Sequence, residues 1–223
     1  MPLKPKILLL VSSLLILASL AMVFVFVPTE ANQGVIQRIF YFHVPVAWVA
    51  FFAFFVTFVA GIVYLVKRNP LWDMMACISA EIGLVFTTLV LITGSIWGRS
   101  FWGIWWTWDA RLTSSLVLWL IYIAYFIIRA YISEEERKAR FAAVVGIIGF
   151  VDVPIVALAI QLAPTAQHPN GEIFHGGVKG LMLVTLLLSI AAFTALYLLF
   201  MVVGISIKKD ERELAGIKEA MKE

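Results

Sequence analysis

Charged residues are scarce in this chain. They make up 14% of its 223 residues, whereas a typical soluble domain has about 25%. Hydrophobic residues account for 62%, which is more apolar surface than a soluble fold of this size can bury. A lipid bilayer accepts such surface because its interior is itself apolar, and each helical crossing needs about 20 apolar residues. The scarcity of charge therefore excludes a water-soluble helical bundle and indicates an integral membrane protein.

Cysteine is scarcer still. Cys77 is the only one, so an intramolecular disulfide is excluded, and the chain has no C-x-x-C-H motif for covalent attachment of haem. Hydrophilic stretches are also short. Apolar runs occupy most of the chain and leave no room for a separate soluble domain.

The apolar residues form six long runs. We predict an all-α integral membrane fold, a single six-span domain over residues 1–223. Its spans are expected at about 7–27, 44–66, 74–96, 112–131, 141–162 and 178–207. The first run follows Lys4 and Lys6, as in a signal peptide, but it is longer than the apolar core of one and no small-residue cleavage site follows it. We expect it to be a retained helix.

Basic residues are unevenly divided between the connections. One set of connections and termini carries Lys4, Lys6, Lys67, Arg68, Arg137, Lys138, Arg140, Lys208, Lys209, Arg212, Lys218 and Lys222. The other set carries only Arg38, Arg99, Arg111 and Lys179. The positive-inside rule assigns the first set, and with it both termini, to the cytoplasm. The basic balance thus reflects topology and predicts no nucleic-acid partner.

Two acidic residues lie inside predicted spans. Glu81 lies about two turns into the third span, and Asp152 lies midway along the fifth, two residues before Pro154. An ionisable side chain in lipid is costly and usually faces the protein interior. A proton or ion relay is one interpretation, and a hydrogen-bonded carboxyl that joins helices is the other. The second is favoured because no basic residue lies at matching depth.

The outward connection 97–111 holds five of the eight tryptophans. If it is helical, spacings of four, four and three place four aromatic residues on one face: Trp97, Phe101, Trp105 and Trp108. Such a face suits a helix that lies flat at the membrane surface. Tryptophans scattered at helix ends form only an interfacial belt. A dense run that ends in Asp109 and Arg111 instead favours a platform for a large, flat, apolar ligand.

Histidines lie in or beside the outward connections. His43 stands just before the second span and His168 just after the fifth, and the tryptophan-rich connection lies between them in the sequence. A lone histidine in a loop is usually only a polar surface residue, but neutral imidazole is also a good ligand of haem iron. Two histidines on one membrane face, beside an aromatic platform, are compatible with a haem site.

Basic residues at the same level support that interpretation. Arg38, Arg111 and Lys179 can pair with the carboxylates of haem propionates. Zinc is the alternative, but it is less favoured because the outward connections offer no cysteine and no close His-x-x-x-His pair. His175 has no assigned role.

Two stretches of the chain resemble a known family. They are QRIFYFHVP at 37–45 and the tryptophan-rich region, with Trp-Gly-Arg at 97–99 and WGIWWTWDARLT at 102–113. Both are similar to the haem exporter protein C family, CcmC, the tryptophan-rich (WWD) haem-handling family of cytochrome c maturation. The resemblance covers nearly the whole chain and includes six spans with both ends in the cytoplasm.

This resemblance implies a haem-delivery protein, not an enzyme, in the cytoplasmic membrane of a bacterium or archaeon. The protein would bind haem b non-covalently at the periplasmic face and load it onto a periplasmic haem chaperone, CcmE. Further implied partners are a small single-span subunit, CcmD, and the ABC transporter subunits CcmA and CcmB, besides membrane lipid.

The resemblance also implies which residues hold the haem. His43 matches the first iron ligand of the family by its motif, and His168 matches the second by its place after span five and its following proline. The remaining expected site residues are Trp102, Trp105, Trp106, Trp108, Asp109, Arg38 and Arg111. For Asp109 a second role stays open, because a carboxylate at the start of span four also suits a helix cap.

Three other functions remain to be distinguished. A haem lyase shares the tryptophan motif but is longer, with more spans and more histidines than this chain has. A b-type cytochrome usually ligates haem from histidines within its spans, and here no histidine lies mid-membrane. A small-ion transporter would use Glu81 and Asp152.

Overall fold

The computed structural model of the protein describes residues 3–163 and 178–221. Seven α-helices run through these residues: α1 Leu3–Ala21, α2 Phe40–Lys67, α3 Pro70–Trp102, α4 Ala110–Tyr131, α5 Glu135–Phe150, α6 Asp152–Leu162 and α7 Leu181–Ala220. A π-helical turn, Met22–Phe26, extends α1, and a 3-10 helix, Val35–Ile39, leads into α2. Within the described ranges, no strand accompanies them beyond one isolated bridge between Glu30 and Gly34.

Six helical segments are long and apolar enough to cross a membrane: Pro5–Phe26, Val35–Lys67, Pro70–Trp102, Ala110–Tyr131, Glu135–Ala159 and Leu181–Lys218. The prediction of an all-α protein with six spans is therefore confirmed. Several helices are longer than their predicted spans. The 33 residues of α3 extend about 50 Å, well beyond the roughly 30 Å of hydrocarbon in a bilayer. The outer turns of α3 therefore lie among the connections.

Local signals set the ends of α3 and α4. Asn69 begins α3, because its side chain accepts a hydrogen bond from the Leu71 backbone N–H at 2.9 Å and Pro70 fills the first position, where a helix has no use for an N–H. Gly103 ends α3 in the left-handed region, with φ 76°, which glycine adopts without steric cost. Asp109 caps α4.

The predicted fifth span is a helix with a break in it. The α-helix ends at Phe150 and resumes at Asp152. Pro154 accounts for the break, because it has no N–H to bond the carbonyl of Phe150 four residues earlier. One carboxylate oxygen of Asp152 is buried and has no hydrogen-bond partner among the described residues. The interpretation of Asp152 as a hydrogen-bonded link between helices is not supported for that oxygen.

Glu81 departs from expectation more clearly. It is exposed on the outside of the bundle, in a groove between α3 and α7 that Lys208 and Glu211 also line. The expectation that an ionisable residue in a span faces the protein interior is wrong for this residue. Lys208 and Glu211 follow the last apolar run of α7, so the groove opens towards the charged end of that helix.

Helix α2 lies at the centre of the bundle, in contact with α3, α5 and α7. Its buried positions include several small residues, among them Ala50, Ala53 and Ala60, which allow neighbouring helices to approach closely. Larger rings fill the space towards α4, where Phe54 stacks on Tyr122 with 3.6 Å between ring centroids. The centre of the protein is therefore packed with side chains and positions the ends of α2 and α3 firmly.

An ion pair joins α3 and α4 at one end of the bundle. Both terminal guanidinium nitrogens of Arg129 donate to the Asp73 carboxylate, at 2.6 and 3.0 Å. The opposite end contains residues 27–43 and 93–111, and we call it the tryptophan end. Its apolar cluster includes Val27, Phe40 and Leu186. The six spans thus separate a tryptophan end from an end rich in basic residues.

Candidate functional site

His43 lies within the first turns of α2, not in a loop before it, because the helix already begins at Phe40. The sequence expectation that His43 precedes the second span is corrected in this respect. A helical backbone gives its side chain a fixed direction. That direction brings the imidazole against the outer part of α3.

Three residues of α3, which lie within about one helical turn of each other, contact the imidazole ring. The Nδ1 atom of His43 and the Oγ1 atom of Thr93 are 2.8 Å apart, within hydrogen-bond distance. Gly94 leaves space for the ring, since a Cβ atom at this position would lie 3.2 Å from His43 Cε1. Trp97 meets the ring edge-on, with 5.8 Å between centroids. Residues 93, 94 and 97 therefore form one side of a pocket for His43.

Trp97 also ties the connection between α1 and α2 to α3. Its indole N–H donates to the Gln33 side-chain oxygen at 2.9 Å. Gln33 is placed by a tight turn, in which the Glu30 carboxylate accepts from the backbone N–H groups of Asn32 and Gln33 at 2.8 and 2.5 Å. The pocket around His43 is thus closed by two connections that lie far apart in the sequence.

The Trp-Gly-Arg triplet at 97–99 shapes the start of the tryptophan-rich segment. After Gly103 the chain turns back over α3, and a Cβ atom at Gly98 would lie only 2.9 Å from the Ile104 carbonyl oxygen. Glycine at position 98 permits this approach. Arg99 donates from its guanidinium to the Gly103 carbonyl. The triplet therefore fixes where the segment leaves the helix.

The helical arrangement considered for residues 97–108 holds only as far as Trp102. From Gly103 to Asp109 the chain is not helical, so Trp105 and Trp108 do not share a helical face with Trp97 and Phe101. The reason is the left-handed backbone of Gly103, which ends α3. Trp105 and Trp108 are 59% and 76% exposed, respectively.

The tryptophan rings form two contacting pairs. Trp97 and Trp102 are 6.2 Å apart at an interplanar angle of 47°, which extends the aromatic contact that begins at His43. Trp106 and Trp108 are 5.7 Å apart at 75°. Neither pair is coplanar, so these four rings do not make one flat floor in this arrangement. Trp97 and Trp102 form an aromatic wall next to His43, and Trp106 and Trp108 form a separate pair in which Trp108 is exposed.

Asp109 caps α4. Its Oδ1 atom accepts from the backbone N–H groups of Arg111 and Leu112 at 2.9 and 3.0 Å. Its Oδ2 atom accepts from the Thr107 hydroxyl at 2.7 Å. The capping role considered for Asp109 is therefore present in the structure, and it anchors the end of the tryptophan-rich segment.

Two arginines of the expected site lie near helix starts. Arg38 is in the 3-10 helix before α2, and Arg111 is in the first turn of α4. Among the described residues, the Nε atom of Arg38 and the Nε1 atom of Trp106 are buried without a hydrogen-bond partner. A buried donor left without an acceptor costs about 1–3 kcal/mol. A ligand with acceptor oxygens would relieve such a cost.

His168, the expected second ligand, and His175 lie outside the described residues. Of the expected site, the structure thus brings His43 and Trp102 together through Trp97. The neighbouring segment, residues 104–109, contains Trp106, Trp108 and Asp109.

The sequence profile of the heme exporter protein C family, CcmC, matches residues 3–218. The chain belongs to the CcmC family. Relatives named heme exporter protein C include that of Bradyrhizobium diazoefficiens, 38% identical over 172 residues, 76% of this chain and 65% of the relative. That of Rhodobacter capsulatus is 29% identical over 92% of this chain and 86% of the relative. That of Escherichia coli K12 is 36% identical over 62% of this chain and 56% of the relative.

Membership of the CcmC family agrees with the resemblance found in the two motifs. The match to the Bradyrhizobium relative spans slightly less than two thirds of that protein's length. The range matched by the family profile, residues 3–218, contains His43, the whole tryptophan-rich segment and all six apolar segments long enough to cross a membrane.

The structure adds residues that the motifs of this CcmC family member did not point to. Thr93, Gly94 and Gln33 contact His43 or its neighbour Trp97, but they lie in an apolar span or in a polar connection without a recognisable pattern. Gly94 was the one available signal, since a glycine inside a helix usually marks a close approach.

Proposed function

We propose that the protein binds haem b non-covalently at the tryptophan end, on the periplasmic side of the cytoplasmic membrane. It delivers this haem to a periplasmic haem chaperone during cytochrome c maturation and catalyses no reaction of its own. The observation that carries the proposal is the pocket in which α3 holds His43 beside Trp97 and Trp102, in a chain of the CcmC family.

The residues of this pocket fit haem as cargo. Imidazole nitrogen is a common ligand of haem iron, and aromatic rings present large apolar faces to a flat π-system. The buried Nε atom of Arg38, without a partner among the described residues, suits a propionate oxygen, as guanidinium groups pair with carboxylates. Arg111 is proposed as the second partner of the propionates.

His43 and His168 are proposed as the two axial ligands. Coordination of the iron by these two histidines would hold the porphyrin and would leave the exposed tryptophans to contact it by stacking. Delivery requires that one of the two iron–nitrogen bonds is released. The exposure of Trp105 and Trp108 supports a role for this segment as the surface over which haem passes to the chaperone.

The sidedness of the site follows from charge. Lys67 ends α2 and Arg68 follows it, while Arg137 and Lys138 lie in the first turn of α5. All four are at the end opposite to the tryptophans, and the positive-inside rule assigns a basic end to the cytoplasm. A CcmE-like chaperone at the periplasmic face is the proposed acceptor. A CcmD-like single-span subunit and CcmA- and CcmB-like transporter subunits are the proposed membrane partners.

Co-expression with the haem chaperone tests the proposal. Membranes are separated under denaturing conditions, and covalently bound haem on the chaperone is detected by its peroxidase activity. We expect haem-loaded chaperone with the wild-type chain and little with His43→Ala at equal abundance. Equal loading with and without the chain would overturn the proposal, and haem attached directly to an apocytochrome without chaperone would favour a haem lyase.

A further inference from the structure

We propose that Thr93 is the positioning residue for His43: its hydroxyl accepts the Nδ1–H of the imidazole and so presents Nε2 as the nitrogen with the lone pair. This inference rests on the proposed function, because it takes His43 to be an iron ligand. It concerns how the ligand is prepared, which neither the motifs nor the family assignment addresses.

The direction of the hydrogen bond between Thr93 and His43 follows from the shorter of the two backbone contacts of the Thr93 hydroxyl. Its Oγ1 atom lies 2.6 Å from the carbonyl oxygen of Leu89. A carbonyl oxygen has no proton, so at this distance the hydroxyl proton must lie between the two oxygens. The hydroxyl has only one proton, and it therefore has none left to donate to His43.

The Nδ1 atom of His43 lies 2.8 Å from the same Oγ1 atom. Two lone pairs would repel at this distance, so Nδ1 carries a proton and donates it to Thr93. In a neutral imidazole the other nitrogen is then unprotonated. Thr93 thus selects the tautomer in which Nε2 is the basic atom, which is the state that a metal requires.

Two neighbours of Thr93 restrict the ring around this bond. Gly94 leaves the room in which the Cε1 edge of the ring lies, since a Cβ atom there would be 3.2 Å away. Trp97, one turn further along α3, meets the ring edge-on. The imidazole is therefore limited in rotation as well as in tautomer, so that less freedom is lost when a ligand binds.

Metal-bound histidines commonly donate their second N–H to a fixed acceptor, and removal of that acceptor lowers metal affinity about 10- to 100-fold. In most cases the acceptor is a carboxylate, a backbone carbonyl or water. Here a threonine hydroxyl takes that place, itself fixed by the backbone of α3. A neutral acceptor raises ligand basicity less than a carboxylate does, which suits a cargo that must be released.

The test uses three variants: Thr93→Val, Thr93→Ser and Thr87→Val. Valine keeps the shape of threonine without the hydroxyl, and serine keeps the hydroxyl. Thr87 is the matched control, because it lies on the same helix and bonds the Gly83 carbonyl four residues earlier at 2.8 Å, as Thr93 bonds Leu89. Thr87→Val thus removes the same kind of backbone contact at a position away from His43.

The first measurement needs no haem. In detergent-solubilised protein with ¹⁵N-labelled histidine, the His43 signals are identified by their loss in His43→Asn. We expect the Nδ1–H tautomer in wild type, Thr93→Ser and Thr87→Val, and a mixture of tautomers in Thr93→Val. An unchanged tautomer in Thr93→Val would overturn the positioning role, whatever the protein binds.

The second measurement is a titration with hemin, followed by its absorption spectrum and by the reduction potential of the bound haem. Thr93→Val should bind hemin about tenfold more weakly and with a shifted potential, whereas Thr93→Ser and Thr87→Val should match wild type. If Thr93→Val matches wild type in affinity and potential, the inference fails. If wild type and His43→Ala bind hemin alike, the proposed haem site fails, and the tautomer result still stands or falls by itself.

Discussion

The pocket around His43 and the segment 104–109 lie at the same end of the protein but are built in different ways. His43 is held within a helix and contacted by Thr93 and Trp97 of α3. The neighbouring segment has no helical backbone, and Trp108 in it is 76% exposed. The pocket fixes the direction of the His43 ring, and the segment 104–109 exposes aromatic surface to which a ligand or partner can bind. A protein that must first hold and then hand over a ligand needs both properties.

The contrast between the His43 pocket and the segment 104–109 assumes that both face the periplasm. Thiol labelling of single cysteines tests this, because each position either reacts in intact cells or does not. In a Cys77→Ser background, a single cysteine in place of Ile104, whose side chain is 48% exposed, should react with a membrane-impermeant thiol reagent added to intact cells. A cysteine at position 136, in the first turn of α5, should react only after the membrane is opened. Labelling of position 136 in intact cells would remove the periplasmic site.

Loss of the fixed ring should have the largest effect on haem. His43→Ala removes an iron–nitrogen bond, and we expect haem retention to fall by more than about tenfold with a changed absorption spectrum. His168→Ala should have a comparable effect, and His175→Ala should leave the spectrum unchanged. If His175→Ala abolishes binding while His168→Ala does not, the assignment of the second ligand is wrong.

Loss of the exposed rings should have a smaller effect and leave the fold intact. Each aromatic contact contributes about 0.5–1.5 kcal/mol beyond area burial, so Trp105→Ala/Trp108→Ala should lower haem delivery to the chaperone about tenfold. The unfolding midpoint of this double variant in detergent should match that of wild type, because the side chains of Trp105 and Trp108 are both exposed. Trp48→Ala on α2 is the control for loss of a tryptophan elsewhere. Full delivery by the double variant would return these tryptophans to an ordinary interfacial belt.

The two regions also differ in how far the sequence could predict them. The spans follow from long apolar runs, and the caps from Asn69, Pro70 and Gly103, since these signals act over a few residues. The bond between His43 and Thr93 joins residues 50 positions apart, and no local pattern pairs an apolar-span threonine with a histidine. It becomes visible only when α2 and α3 are packed together.

For the tryptophan segment, the sequence pattern predicts more helix than the structure has. Spacing alone allowed a helical face from Trp97 to Trp108, yet Gly103 lies in the middle of that run. Glycine is common just beyond the last residue of a helix, so the end of α3 at Trp102 was recognisable from sequence. The periodicity of the aromatic residues does not report this helix end, and it therefore gives no indication of the exposed, non-helical arrangement of Trp105 and Trp108.

Asp109 anchors the end of the tryptophan-rich segment at the start of α4. Of the substitutions considered, its loss should have the smallest effect. The side chain caps α4 through two backbone N–H groups, and loss of such a cap costs about 0.5–2 kcal/mol. Asp109→Ala should therefore lower the unfolding midpoint modestly and reduce delivery in proportion. Asp109→Asn is the matched control, because asparagine caps helices about as well as aspartate but has no charge. Recovery of both stability and delivery in Asp109→Asn would assign Asp109 to the frame that supports the tryptophans. If Asp109→Asn is as stable as wild type but defective in delivery, the charge itself acts on haem or on the chaperone, and the division between a fixed pocket and an open aromatic surface must be redrawn to include it.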